Sequence, residues 1–334
     1  MQLKQIARDV LLKPLQAVSG IVERRHTLPI LANVLIEPKD GALELTATDL
    51  EMQITALADC EAKAGAATTV SARKLHDLLR ALPDDATLNI DVSGSRMTVR
   101  AGRSRFNLQT LAAGDYPRIS LGQDKLQSRA PPQKDLRALF GLVEFAMAQQ
   151  DIRYYLNGML LVIDRGSLQA VATDGHRLSW ASLAVDGEFT RQEVILPRKT
   201  VLELGKLLVD SDDPVSIDIL ANQVRFRFAN VELVSKVVDG KFPDYNRVIP
   251  VGHTKSITLD RTTLLAALQR AAILANEKFR GVRLVLGPDH LKIICSNAEQ
   301  EEAKEAPKVV QKWTPRPALS VEVIKGNEVS QKKF

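Results

Sequence analysis

The chain repeats itself at an interval of about 125 residues, and this repeat constrains the fold more than any other feature of the sequence. The string LELTATD at 43–49 recurs as LQAVATD at 168–174 and, more weakly, as LKIICSN at 291–297. Three independent patterns keep nearly the same spacing. They are the aspartates that open a helical apolar pattern (Asp9, Asp135 and Asp260), the basic pairs (73–74 and 198–199), and the strings GDYP and GKFP (114–117 and 240–243). Because a period shared by separate segments is the signature of a tandem array, we expect three homologous units, the third cut short.

Each unit is predicted to be α+β. Apolar residues within 135–149 follow the i, i+3, i+4 spacing of an amphipathic helix, and 71–82 predicts a second helix with Ser71 as its N-cap. The apolar runs 159–163 and 168–172 flank the turn sequence DRGS, which predicts a β-hairpin. Three further runs alternate apolar and polar residues as half-buried strands do; they are 90–92, 97–99 and 106–108. The pattern indicates helices packed on antiparallel sheet.

Composition excludes several classes of protein. Apolar residues make up 45% and charged residues 25%, which is typical of a globular chain, and no window approaches the ~18 uninterrupted apolar residues of a membrane span. Residues 1–10 are too polar for a secretory signal. Cys60 and Cys295 lie far apart without CxxC spacing, which argues against a disulfide framework or a zinc site. We therefore expect a cytoplasmic protein with no metal and no membrane partner.

The net charge of +5 belongs mostly to the end of the chain. Residues 306–334 contain six Lys or Arg and two Glu, a net of +4, so residues 1–305 carry about +1. Basic residues on the predicted helices are the better evidence for nucleic acid, since they can surround phosphates without reading sequence. They are Arg73, Lys74, Arg80, Lys134, Arg137, Arg198, Lys199, Lys206, Arg261 and Arg270. The alternative is that these residues form ordinary solvated helix faces.

Three strings carry a specific resemblance: LPIL at 28–31, YYLNG at 154–158 and ATDGHRL at 172–178. In this tandem setting they resemble the bacterial DNA polymerase beta sliding clamp family over about residues 1–305. The resemblance implies a clamp fold and a head-to-tail homodimeric ring, with helices lining the hole and sheets forming the outer wall. It also implies a protein that encircles double-stranded DNA, tethers the replicative polymerase, is handled by a clamp loader, and has no catalytic residue and no cofactor. The implied units are 1–125, 126–252 and a partial 253–305, followed by a divergent basic tail at 306–334.

The resemblance also assigns sites. The implied DNA contacts are Arg25, Arg73, Gln150, Tyr154 and Tyr155. The implied pocket for partner peptides comprises Leu156, Thr173, Gly175, His176, Arg177, Leu178, Pro243, Arg247 and Val248. The implied dimer interface comprises Arg96, Arg103, Arg105, Phe106, Leu108, Ile273, Leu274, Glu299, Glu301 and Glu302.

Purely structural roles are the alternative to these assignments. The two tyrosines can be packing residues at the start of a strand, and 173–175 can be an ordinary turn, as Thr48 and Asp49 suggest for the first unit. However, the sequence GHR at 175–177 has no counterpart in the other two units, which favours a role specific to the second.

The end of the chain departs from the family. After Glu305 we find no counterpart of the basic pair or of the GDYP string, so the third unit is predicted to be incomplete, with weaker partner binding and a less stable ring. One alternative function is therefore a ring-defective clamp relative that acts as a regulatory or non-functional binding protein. The other is an enzyme that uses Asp174, His176 and Ser179, but the chain has no G-x-S-x-G elbow, phosphate loop or H-E-x-x-H motif.

Overall fold

The structure is a computed structural model of the 334-residue chain. It describes residues 1–23, 28–39, 41–60, 65–122, 127–164, 166–185, 191–252, 258–275, 281–287, 290–296, 302–305, 320–325 and 328–333. Of residues 127–129, 302, 305, 320–325 and 328–333 only the backbone is described. The chain forms two compact bodies: the larger contains Met1–Asn246 and Leu319–Lys333, and the smaller lies within Arg247–Ala318. Across these described ranges, every helix is too short or too polar to cross a membrane.

The larger body contains two modules with the same order of elements. The first module consists of β1 (Gln2–Ala7), α1 (Arg8–Ser19), β2 (Asn33–Lys39), β3 (Ala42–Thr48), β4 (Met52–Ala58), β5 (Thr68–Ser71), α2 (Ala72–Ala81), β6 (Thr87–Ser93), β7 (Arg96–Ala101) and β8 (Ser104–Ala112). The second consists of β9 (Gln127–Arg129), α3 (Gln133–Gly141), β10 (Gly158–Asp164), β11 (Ser167–Thr173), β12 (Arg177–Ala184), β13 (Gln192–Pro197), α4 (Arg198–Leu207), β14 (Ser216–Ile219), β15 (Gln223–Phe228) and β16 (Val231–Lys236). This order confirms the predicted α+β repeat.

The smaller body begins a third copy of the same order. It consists of α5 (Arg261–Ala272), β17 (Arg283–Leu286), β18 (Leu291–Ser296) and β19 (Glu302–Glu305), which correspond to α1 and β2–β4. A last hairpin, β20 (Ser320–Lys325) and β21 (Glu328–Lys333), belongs to the larger body.

The same type of strand pairing recurs at equivalent positions of the two modules. The strand orders are β1-β6-β7-β8-β5-β2-β3-β4-β16-β15-β14-β9, β13-β10-β11-β12-β20-β21 and β17-β18-β19. The last strand of the second module thus pairs with the fourth strand of the first: residues 52–56 of β4 pair with 231–235 of β16. Residues 177–181 of β12 pair with 321–325 of β20. These two stretches of β4 and β12 are 125 residues apart, so β20 occupies on the second module the place that β16 occupies on the first.

Helices cover one face of these sheets because their apolar stripes match the repeat. Helix α1 buries Leu11, Leu15 and Val18 against α2 and strands β3 and β4, and α3 and α4 form the equivalent pair in the second module. One hydrophobic core runs through both modules. The smaller body has a core of its own, built from Ala267, Ala271, Leu291, Ile293 and Cys295.

Local predictions succeed where a capping or turn residue fixes them. Helix α2 begins where predicted, with the Ser71 hydroxyl accepting a hydrogen bond from the Lys74 backbone N–H at 3.4 Å, and the β10–β11 hairpin closes at the Asp164–Ser167 pair. The predicted helix at 135–149 is wrong in its second half. Helix α3 ends at Gly141, and a 3-10 turn over Glu144–Ala146 follows. The apolar spacing continues past Gly141 because these residues are still buried, although they are no longer helical.

Candidate functional sites

The loop at residues 150–155 is locked by its own polar groups. The Asn157 side chain accepts a hydrogen bond from the Asp151 backbone N–H at 2.9 Å and donates one to the Asp151 carbonyl at 2.8 Å. The Arg153 guanidinium donates to both carboxylate oxygens of Asp151, at 3.0 and 2.8 Å, and the Arg153 backbone N–H donates at 2.8 Å. These bonds lower the pKa of Asp151 to about 2. Gln150 has a positive φ of +57°, a conformation that non-glycine residues hold only when their surroundings enforce it.

This 150–155 loop presents three of the residues that the resemblance assigned to DNA. Gln150 is exposed, Tyr154 is 58% exposed, and Tyr155 is half-buried with its ring edge-to-face to that of Tyr154 at 5.8 Å. Gly240 lies beside them, since a Cβ built on it would be 3.5 Å from the Tyr154 ring. Arg73 lies on α2, exposed and ion-paired with Asp77, away from the loop in sequence. Arg25 lies outside the described residues.

The turn at residues 173–177 is held by a dense set of hydrogen bonds. The Thr173 hydroxyl donates to the Arg177 carbonyl at 2.7 Å and accepts from the Gly175 N–H at 3.1 Å. One oxygen of Asp174 accepts from the backbone N–H groups of His176 and Arg177, and the other from the Arg177 guanidinium at 3.0 Å. Gly175 has φ +87°, which favours glycine. The turn therefore has a defined shape and carries three exposed residues, 175–177.

The first module contains the same turn at residues 48–52. The Thr48 hydroxyl donates to the Met52 carbonyl at 2.8 Å and accepts from the Leu50 N–H at 3.0 Å, and one oxygen of Asp49 accepts from the N–H groups of Glu51 and Met52. Leu50 has φ +75° where the second module has Gly175. The sequence GHR at 175–177 has no counterpart in the first module, but the backbone turn that carries it does.

The proposed pocket residues divide between the two bodies. Around the 173–177 turn, Leu156 and Leu178 are buried and Thr173 is half-buried, while the Arg177 guanidinium lies 5.5 Å from the centre of the Phe145 ring. Pro243 is exposed in the larger body, and Arg247 and Val248 are exposed at the start of the smaller one. The larger body thus places two buried leucines next in sequence to exposed polar and basic groups.

The aspartates of the two turns pair with different cations, Asp174 with Arg177 of its own turn and Asp49 with Lys199. In the first module the Lys199 ammonium, which is carried by α4 of the second module, lies 2.5 Å from Asp49 and 2.8 Å from Glu23. Burial acts to lower the pKa of Lys199, but these two carboxylates outweigh it and raise the pKa. Lys199 is predicted from the sequence as part of a basic helix face, but in the structure it links the second module to the first through these two ion pairs. Two other predicted face residues are also paired, Lys134 with Asp212 and Lys206 with Glu203.

Strand β8 presents a free edge. Residues 104–109 pair with β7, and 110–112 pair with β5, but no described strand lies on the other side of 104–109. We call residues 104–109 the β8 edge. Phe106 is 36% exposed there and Leu108 is half-buried. The arginines that the resemblance assigned to this interface are all exposed; they are Arg96, Arg103 and Arg105.

The smaller body carries the other half of the predicted interface. Ile273, just past α5, is 77% exposed, and Leu274 is half-buried. Strand β19 pairs with β18, and within the described part of the chain its second edge has no neighbour. Glu302 is the first residue of β19 and only its backbone is described, while Glu299 and Glu301 lie outside the described residues.

Sequence reasoning missed the residues that shape these sites. Asp151, Arg153 and Asn157 lock the loop, but they were not singled out, because their roles depend on contacts rather than on spacing. The available signal was the cluster of polar residues in QQDIRYYLN, next to the recognised string. Among the described residues no cluster of His, Cys, Asp or Glu is arranged to hold a metal ion.

Known proteins share this architecture throughout. Three family models match in chain order: the N-terminal domain of the DNA polymerase III beta subunit at 1–120, its central domain at 131–244 and its C-terminal domain at 246–316. Together with the modular fold, these matches define the chain as a clamp protein of the DNA polymerase III beta class. The beta sliding clamp of Pseudomonas putida KT2440 is 49% identical over 302 residues, which are 90% of this chain and 82% of the relative. That of Escherichia coli K12 is 46% identical over 301 residues, with the same shares.

Solved structures agree with the sequence relatives. A sliding clamp from Pseudomonas aeruginosa bound to griselimycin superposes with a TM-score of 0.90 at 42% identity, covering 99% of this chain and 94% of that one. A Caulobacter crescentus beta sliding clamp gives 0.86 at 34% identity, covering 99% and 98%. The chain belongs to the beta sliding clamp family. It is accordingly a sliding clamp and a processivity factor of DNA replication, not an enzyme.

Proposed function

We propose that two copies of this chain close head-to-tail into a ring around double-stranded DNA and tether a replicative polymerase. The observation that carries this proposal is the β8 edge. Where the larger body joins its modules, the last strand of one module pairs with the fourth strand of the module before it, as β16 does with β4. Strand β8 is the last strand of the first module, so the module before it must come from another chain. In the third module the counterpart of β4 is β19, and the second edge of β19 has no described neighbour.

Side chains around the β8 edge suit such an asymmetric contact. Phe106 and Leu108 provide apolar surface, and exposed arginines flank it, whereas the β19 region is rich in glutamate, with Glu302 and Glu305 in the strand. Opposite charges on two different edges favour head-to-tail pairing over pairing of like edges. The proposed interface residues are Arg96, Arg103, Arg105, Phe106, Leu108, Ile273, Leu274, Glu299, Glu301 and Glu302.

Duplex DNA is proposed to contact the 150–155 loop and the exposed basic residues of the helices. Arginine and tyrosine side chains can contact phosphate and sugar on any sequence, as a protein that slides must do. The proposed contacts are Arg25, Arg73, Gln150, Tyr154 and Tyr155.

Polymerase and clamp loader subunits are proposed to dock through a short apolar peptide at the 173–177 turn. Leucines beside exposed polar and basic groups suit a peptide that is anchored by apolar side chains and oriented at its ends. The proposed pocket comprises Leu156, Thr173, Gly175, His176, Arg177, Leu178, Pro243, Arg247 and Val248. The proposed compartment is the cytoplasm.

Topological linkage tests the ring directly. The full chain is incubated with a purified clamp loader, ATP and nicked circular plasmid, and gel filtration separates plasmid-bound from free protein. A ring predicts that protein stays with the circular plasmid and is lost when a restriction enzyme linearises it. Equal retention on circular and linear DNA would contradict the ring, and no retention on either would favour the ring-defective alternative.

A further inference from the structure

Arg153 connects the 150–155 loop to the 173–177 turn. While its guanidinium is bonded to Asp151 within the loop, Nη2 also donates to the Asp174 carbonyl at 3.4 Å. The same group lies against Gly175, since a Cβ built on this glycine would be 3.0 Å from Nη2 and 3.1 Å from Nη1. A guanidinium presents five donors in a planar fork, so it can contact both elements at once. The proposed DNA loop and the proposed partner-binding turn therefore share one side chain.

The first module shows that this contact is not needed to form the turn. The 48–52 turn has the same hydrogen bonds, yet the residue 125 positions before Arg153 is Leu28, which is 47% exposed and has no charge to offer. There the turn's carboxylate is bound by Lys199 across the module junction. At the second turn the Asp174 carboxylate is bound by Arg177 of the turn itself. Arg153, from the loop that is proposed to contact DNA, adds a contact to the Asp174 carbonyl, and its side chain remains 46% exposed to an incoming phosphate.

We propose that Arg153 couples the two sites, so that duplex DNA at the 150–155 loop loosens the 173–177 turn and changes how it binds a partner peptide. This inference rests on the proposed function and deepens it. A DNA phosphate competes with Asp151 for the guanidinium, because arginine pairs bidentately with phosphate as well as with carboxylate. When the fork turns toward the phosphate, Gly175 loses the group packed against it and the Asp174 carbonyl loses a donor. The turn then opens more often. Arg153 is thus a positioning residue.

Hydrogen exchange with and without DNA tests the coupling on the full chain. The probe is a 30-base-pair duplex, its binding is followed by fluorescence anisotropy, and amide exchange is followed in peptides that cover 173–178. In the wild-type chain we expect DNA to speed exchange in these peptides about five-fold, within the usual range of couplings between sites. In Arg153→Met exchange is expected to be fast already, with no further response to DNA. Arg153→Lys keeps the charge but lacks the fork, so its response should also be lost.

Arg191→Met is the matched control. Arg191 is similarly exposed, at 48%, and pairs with Asp164 and Glu193, but it lies at the opposite end of β11 from the turn. It should respond like the wild type. A wild-type chain that binds the duplex with no change at 173–178 would overturn the coupling alone, as would a full response in Arg153→Met or Arg153→Lys. Absence of any binding to the duplex would overturn the DNA contact proposed for the 150–155 loop and the coupling with it, while the ring is decided separately by topological linkage.

Discussion

Truncation of Phe106 to alanine should weaken the proposed dimer far more than its position on the surface suggests. Phe106 is 36% exposed on the β8 edge. A phenylalanine side chain offers about 200 Å² to bury, so the partner would cover about 70 Å², worth about 1.5 kcal/mol after the alanine methyl is allowed for. A head-to-tail ring of two chains closes through two such contacts, so the loss is about 3 kcal/mol for each dimer. That corresponds to a dimer dissociation constant about 100-fold higher.

Sedimentation velocity over a dilution series measures that constant. Leu111→Ala is the matched control, because Leu111 lies on the same strand and is 48% exposed, but β8 is paired there with β5. We expect the control to dimerise like the wild type. Equal shifts in the two variants, or none in either, would refute the assignment of residues 104–109 as the edge that binds a second chain. Circular dichroism melts of both variants exclude general unfolding as the cause.

Three further predictions concern the 48–52 turn and the side chains that bind it. The buried Tyr116 hydroxyl bonds two backbone groups and burial raises its pKa to about 12, so Tyr116→Phe should cost about 1–2 kcal/mol of unfolding free energy in urea at pH 8. Because the folded pKa is raised, the wild type should lose stability as pH rises from about 10 to 12, and an equal loss in the variant would contradict this. Lys199→Met should cost about 2 kcal/mol by leaving the Asp49 carboxylate buried and unpaired. Adding Asp49→Asn should restore part of the loss, and failure to do so would argue against the ion pair. At Leu50, whose φ is +75°, glycine should be more stable than alanine by about 1 kcal/mol, the reverse of the usual order, as urea titration of the two variants can show.

The repeat period predicted the arrangement of elements because it is a property of the whole chain. Segments 125 residues apart have the same apolar spacing, so they form the same helices and hairpins, and the Ser71 cap and the DRGS turn fixed two boundaries. The end of α3 could not be predicted in this way. Residues beyond Gly141 are buried whether they are helical or not, and a burial pattern alone does not tell the two states apart.

Side-chain contacts could not be predicted from the sequence, for a different reason. Lys199 and Asp49 are 150 residues apart, and Arg153 and Asp174 are 21 apart, so neither contact follows from a local pattern. Before the fold was known, Lys199 was one basic residue on a helix among several. Only the pairing of β4 with β16 brings α4 near the 48–52 turn and gives this lysine a carboxylate to bind.

The two turns also show how a tandem repeat gives one local structure two roles. Their backbones and hydrogen bonds match, so the difference between them lies in their side chains and in the cation that reaches each turn from outside it, Lys199 at the first and Arg153 at the second. A lysine from the next module binds the Asp49 carboxylate, which is 6% exposed, and makes the first turn part of the contact between modules. At the second turn Arg153 of the adjacent loop contacts the Asp174 carbonyl, and His176 and Arg177 are exposed at the tip of the turn. A partner that binds the second turn also lies next to the 150–155 loop, which contacts that turn through Arg153. We therefore expect DNA binding to change the affinity of this clamp for its protein partners, and partner binding to change its affinity for DNA.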